Sequence, residues 1–388
     1  MIRFAWTQFR TQAAVGAGLL AVVAVVFAVT GIQLAHSYDA AVALCRQQGN
    51  CASLSGFFPS DGYRRVNKSL DAAALAVPGL IGMFWGAPLF AREFEAGTFR
   101  LAWTQGVTRT RWLAAKLSVA GLAAIAAAEL FSLMLNWWAS PIHKAGGYTP
   151  LTSGIGSSYI VGVAPAGYAA FAFAVGAAAG LFTRRTVPAM AVTLAVFAAV
   201  MTVFPIWVRP HLMPAARATS ALGPVPVSSR GSIDGHLGLY ATRPAGLPGA
   251  WVISTQVVAP DGRAPSSEPA GPCGASPSTQ ACGDYIQSLH FQQTVTYQPA
   301  TRYWDFQWIE TGIYLALALI LAGLCFLRIR PGRPADPGIR RPRAIRPAPA
   351  LTGVLAALAA LGARDTRGAG APTPDDLPAR LRGHNNRA

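Results

Sequence analysis

Ala13–Leu34 is an apolar run without a charged side chain, and five more of similar length follow it: Ala72–Ala91, Leu117–Trp138, Ile160–Phe182, Thr186–Val208 and Ile309–Leu327. About 20 predominantly apolar residues carry a helix across roughly 30 Å of hydrocarbon. In that solvent every backbone N–H and C=O must be satisfied within the protein, which leaves helices or closed barrels as the spanning structures. The six runs therefore predict an all-α integral membrane protein built on a six-helix transmembrane bundle. Composition agrees, because the chain is 52% hydrophobic and only 12% charged, about half the usual charged fraction of a globular domain. The formal net charge of +16 would point to nucleic acid in a soluble protein. Here the Lys and Arg residues flank the apolar runs or lie in a tail, so no nucleic-acid partner is expected.

The first run is longer than the 7–15 residues of a signal-peptide core and begins only after Arg3 and Arg10, so it reads as a retained span. Basic residues set the orientation, because Lys and Arg in short loops stay in the cytoplasm. Arg3 and Arg10 precede span one; Arg92, Arg100, Arg109, Arg111 and Lys116 lie between spans two and three; Arg184 and Arg185 fill the turn between spans four and five; Arg328, Arg330 and Arg333 follow span six. On the alternate side the short loop holds only Lys144, while the longer loop His36–Asp71 mixes Arg46, Arg64, Arg65 and Lys68 with three Asp. The expectation is a multi-pass protein of the cell membrane with both termini cytoplasmic. Cys45 and Cys51 then fall in the first outer loop, Cys273 and Cys282 in the large outer loop, and Cys325 in span six. Four of the five cysteines thus sit where disulfides persist. The short-range pairs Cys45–Cys51 and Cys273–Cys282 are the simplest of three connectivities, with free thiols as the alternative.

The chain divides into residues 1–208 with spans one to five, an outer loop domain 209–308, span six at 309–327 and a tail 328–388. The outer loop is too long for a mere connector. It is Pro-, Gly- and Ser-rich at first, and its β-branched and aromatic stretches Trp251–Val258 and His290–Tyr297 predict partial β character. Trp304 and Trp308 mark re-entry at the interface. The tail spaces Arg333, Arg340, Arg341, Arg343 and Arg346 with prolines, a composition that predicts disorder and suits anionic membrane lipids. Leu351–Leu361 is apolar but too short to span.

Catalytic motifs are missing. There is no GxxxxGK[ST] P-loop, no HExxH and no G-x-S-x-G, and the six histidines are isolated from one another, so neither a metal site nor a catalytic site is expected. Glu129 is the one acid deep in a span, where an acid faces an aqueous pathway or makes a structural hydrogen bond to a neighbouring helix. Glu310, beside Trp308, reads as interfacial. Gly82-x-x-x-Gly86 and Gly176-x-x-x-Gly180 place small residues on one helix face and allow close helix contact, within or between subunits.

The segment after span two is the most informative. At 100° per residue, residues 90–105 form an amphipathic inner helix with Phe90, Phe94, Gly97 and Leu101 on one face and Arg92, Phe99 and Trp103 on the other. Thr108 or Thr110 can cap the start of span three. The residues Ala91-Arg-Glu-Phe-Glu-Ala-Gly-Thr98, then Thr108-Arg-Thr-Arg-Trp112 and Lys116, resemble the permease subunits of bacterial ABC-2-type ABC transporters. Gln298–Gly312 is similar to the entry into the last span of a group of these permeases. The resemblance implies an exporter subunit with no catalysis or cofactor of its own. ATP would be bound by a separate ABC ATPase subunit, and two permeases, as a homodimer or a permease pair, would form the pathway. By that likeness Glu93, Glu95, Gly97 and Thr98 map onto the coupling segment; Arg92, Phe99 and Trp103 join them as ATPase contacts from the helical wheel, or else anchor the segment to the membrane surface. Two other functions fit a chain of this class. A membrane-embedded lipid-modifying enzyme needs clustered His, Asp or Glu at one membrane face, and none is visible. A non-transporting protein could present the outer loop domain to a partner.

Overall fold

The computed structural model describes residues 2–48, 60–98, 108–146, 162–221, 230–233, 236–239, 250–258 and 292–329, together with positions 284, 288 and 290. Among them six helices are long and apolar enough to cross a membrane, so the six-span expectation is met. Helix α1 covers Ile2–Gln48. Helix α2, Ser60–Ile81, runs through a π-helical turn, Gly82–Gly86, into α3, Ala87–Ala96. Helix α4 is Arg109–Gly146, α5 Ala164–Thr183, α6 Thr186–Val203 and α7 Tyr303–Ile329. A second π turn, Phe204–Val208, and a 3-10 turn, Arg209–His211, extend α6.

Two sequence expectations change. The loop His36–Asp71 is largely helical, because α1 runs on to Gln48 and α2 begins at Ser60. The helix expected over residues 90–105 stops at Ala96, where Gly97 takes the left-handed conformation (φ 69°) and its N–H bonds the carbonyl of Phe94. Glycine adopts that conformation without a Cβ clash, which makes it a common helix terminator. Phe99, Arg100, Leu101 and Trp103 lie outside the described residues. At α4, Thr108 holds the capping position, its carbonyl accepting from the N–H of Trp112 at 3.0 Å, while Thr110 lies inside the helix.

Pro78 and Pro141 lie inside α2 and α4, while four other prolines sit where a helix tolerates them. Pro165 and Pro188 occupy first turns, where the missing N–H has no intrahelical partner to lose. Pro205 lies in the second π turn and Pro88 just after the first. A proline crowds the carbonyl four residues back, and a turn widened by one residue relieves that crowding.

Helix α5 is the centre of the bundle. It is rich in Ala and Gly on every side, so no face is reserved for large lipid-facing side chains, and residues from Ala164 to Leu181 are almost all buried. The α2–α3 rod, α4, α6 and α7 pack around it. Gly82 and Gly86 meet Gly176 directly, and Gly180 meets the backbone of Ala87 and Ala91 just beyond them. A Cβ on Gly82 would meet the carbonyl of Ala172, one on Gly176 the carbonyl of Gly82, and one on Gly180 the carbonyl of Ala87. The two small-residue motifs are therefore each other's partners within one chain. Helix α1 stands to the side, packed on α4 through Phe27 and Leu34 against Phe131, Leu135 and Trp138. Trp138 donates to the Thr30 hydroxyl at 2.9 Å.

One end of the bundle carries the strands, which are β1 (Ala216–Ala221), β2 (Arg230–Ile233), β3 (His236–Leu239), β4 (Trp251–Val258) and β5 (Gln292–Gln298). The order β1-β5-β4 forms an antiparallel sheet with a bulge between Val252 and Ser254, and β2 pairs with β3 separately. Both stretches expected as strands are strands; β1, β2 and β3 lack the aromatic and β-branched density that would have announced them. The opposite end of the bundle carries the Arg184–Arg185 turn. The tail from residue 330 onward, with its expected disorder, lies outside the described residues.

Candidate functional site

The segment after span two lies at the turn end, and Phe90, Glu93, Phe94 and Glu95 each meet a different partner. Phe90 and Ala91 are fully buried, and the Phe90 ring packs on Trp112 of α4 with centroids 5.4 Å apart. Glu93 forms an ion pair with Lys116 of α4, which is itself buried and lies 5.0 Å over the Trp112 ring. Phe94 lies under the Arg184 guanidinium at 5.5 Å. Glu95 accepts from the backbone N–H of Thr186 at 2.9 Å and from its hydroxyl at 2.6 Å.

That last pair explains how α6 begins. The first N–H groups of a helix have no intrahelical acceptor, and Arg185, in the capping position, supplies no side-chain bond. A carboxylate from another helix fills the gap, at the end where the helix dipole favours negative charge. The arrangement straps the α3 segment to α4 through Glu93 and to α6 through Glu95, while the buried face rests on α5.

Of the residues singled out from sequence, Glu93 turns inward to Lys116, Glu95 is exposed and engaged by Thr186, and Gly97 ends the helix. Arg92 and Thr98 are exposed. Phe99 and Trp103 lie outside the described residues. Lys116 was visible only as part of a basic segment, and Thr186 carried no signal at all.

Glu129 sits midway along α4 and accepts from the backbone N–H of Ala166, in the first turn of α5. This is the structural hydrogen bond between helices that the sequence left open. Its second oxygen has no hydrogen-bond partner among the described residues. Gln307 serves the same helix start, accepting from the N–H of Ala164 at 3.0 Å.

Glu310, read from the sequence as interfacial, lies inside the protein. It is fully buried, pairs with Arg209 at 2.7 Å and accepts from the Tyr168 hydroxyl at 2.7 Å. Arg209 lies 4.9 Å over the ring of Trp251 on β4 and 5.8 Å over Phe306. Trp308, two residues away, is 62% exposed. Two helical positions are about 200° apart, so adjacency in sequence put Glu310 and Trp308 on opposite faces. This polar core joins α5, the end of α6, α7 and the sheet, and nothing in the sequence announced it.

Cys45 is disulfide-bonded, with its partner outside the described residues, where Cys51, Cys273 and Cys282 also lie. Cys325 is a free, buried thiol in α7. No group of three or more His, Cys, Asp or Glu could hold a metal ion among the described residues.

Compared with known proteins, residues 17–209 match the family model described as ABC-2 membrane transporter related. No curated protein and no solved structure matches the chain.

Proposed function

This chain belongs, through residues 17–209, to the ABC-2 membrane transporter related family, and from that premise we propose that it is the membrane-spanning permease subunit of an ATP-driven exporter. In this reading two permease subunits line the pathway and a separate ATPase docks at the turn end. The observation that carries it is the double strap. Glu93–Lys116 and Glu95–Thr186 tie one short helix to α4 and α6 at once, so a push on that helix reaches both. The stretch that follows Gly97, with Thr98, Phe99 and Trp103, is the candidate contact for the ATPase.

The test is co-purification with a P-loop ATPase encoded beside this chain. The wild-type chain is expected to capture it, and Phe99→Ala with Trp103→Ala to weaken capture by about tenfold or more, as loss of aromatic anchors does. If the wild-type chain never captures an ATPase, the transporter reading loses its motor. If the double variant binds normally, only the contact assignment fails.

The turn end is assigned to the cytoplasm from its arginines, and the strand end to the outside. The disulfide at Cys45 supports this, since such bonds persist in oxidising compartments. After reduction, an impermeant maleimide is expected to label Cys51 and Cys282 in intact cells; protection of both would reverse the orientation.

A further inference from the structure

Helix α1 leans on α4 but stands apart from α6, and the gap between them is an apolar groove of about 690 Å³ with the α2–α3 rod at its base. Its walls include Leu19, Leu80, Phe84, Trp85 and Phe131. From Thr11 to Val23 along α1 the groove runs about 18 Å at 1.5 Å per residue, close to half of the roughly 30 Å of hydrocarbon in a bilayer. Its volume falls in the range of small-molecule sites.

The ends differ. Toward the strand end the lining is apolar. At the turn end it changes to Thr11, Gln12, Arg92 and Thr186. A second cavity, about 210 Å³, adjoins there, sharing Gln12, Pro88 and Arg92 with the groove and adding Glu93 and Lys116. The charges around this mouth do not cancel. Lys116 is matched by Glu93, and Glu95, hydrogen-bonded by the neutral Thr186, keeps its charge within electrostatic reach of Arg92 and Arg185. Arg92 is exposed and makes no ion pair or hydrogen bond among the described residues. Three cations, Arg92, Lys116 and Arg185, face two carboxylates, Glu93 and Glu95, which leaves one positive charge in excess at the polar end of a tail-shaped apolar groove.

We propose that this groove binds an acyl-chain amphiphile with a monoanionic head, drawn from the leaflet at the turn end, with the tail between α1 and α6 and the head on Arg92 and Gln12. The proposal rests on the transporter reading only in taking this amphiphile as the cargo; the binding site stands without it.

The probe is phosphatidylglycerol with a photoreactive diazirine in its acyl chain, compared with the same tail on phosphatidylcholine, each in phosphatidylcholine nanodiscs holding the full chain. The anionic probe is expected to label peptides containing Leu19 and Phe84 about fivefold more than the zwitterionic one, the selectivity of one basic side chain at a membrane surface. Arg92→Gln is expected to bring that ratio close to one. Leu80→Trp, which fills the groove, is expected to lower labelling by both probes. Equal labelling by the two probes in the wild-type chain would overturn the proposal. So would labelling that is unchanged in Leu80→Trp, or a Leu80→Trp chain that falls from dimer to monomer with its labelling intact, which would make the groove a subunit interface. The assay contains no ATPase. Its failure therefore leaves the transporter reading in place, and a failed ATPase capture leaves the groove in place.

Discussion

Glu310→Ala is expected to destabilise the folded chain by about 3–5 kcal/mol, the usual consequence of breaking a buried ion pair from one side. Arg209 is 4% exposed and would keep its charge inside the protein without the carboxylate that balances it. The Tyr168 hydroxyl would lose its acceptor as well. The effect should be read as a lower thermal midpoint and lower yield of monodisperse protein in detergent. Arg209→Met combined with Glu310→Leu removes both charges and is expected to recover most of the loss, because a well-packed apolar pair often equals or exceeds the buried ion pair it replaces. If the single variant loses under about 1 kcal/mol, the pair is not the bolt between helices that its burial implies. A double variant as unstable as the single would mean that the shape of the Arg209 side chain, stacked on Trp251 and Phe306, matters more than its charge.

Gly176→Leu is expected to be comparably severe. A Cβ at this position would meet the carbonyl of Gly82 and the backbone of Gly86 and Ala87. Backbone atoms cannot swing aside as a side chain can, so α5 and the α2–α3 rod must separate. Overpacking of this kind typically costs about 1–3 kcal/mol and sometimes more. Gly176→Ala should already lower the thermal midpoint. Gly323→Ala is the control, since nothing lies within 4 Å of its added Cβ, and away from such contacts substitutions stay within about ±0.5 kcal/mol. If Gly176→Ala behaves like Gly323→Ala, the glycine contact is not what sets the helix spacing.

The membrane spans were legible because their solvent imposes a rule that acts residue by residue. Hydrocarbon demands about 20 apolar positions in a row, and Ala13–Leu34 or Thr186–Val208 states that without reference to any other part of the chain. The strands at Trp251 and Gln292 were legible for a similar reason, through residue types suited to a pleated, half-buried surface. The central place of α5 could have been read from its Ala and Gly content, and the two glycine motifs from their four-residue spacing, but which motif faces which could not. The end of the inner helix was written in Gly97, which the wheel carried through as one more position on its apolar face.

The partners of the acids were decided only by tertiary structure. Glu93 finds Lys116 across 23 positions, Glu95 finds Thr186 across 91, and Tyr168 finds Glu310 across 142. An isolated acid in an apolar stretch says that it must be satisfied, since leaving it unpaired in lipid is expensive, but it does not say by whom. Local sequence records the solvent that a residue must meet. Which distant helix start or arginine meets it depends on how the helices pack, and here that packing placed Glu93, Glu95, Glu129 and Glu310 each against a specific partner on another element.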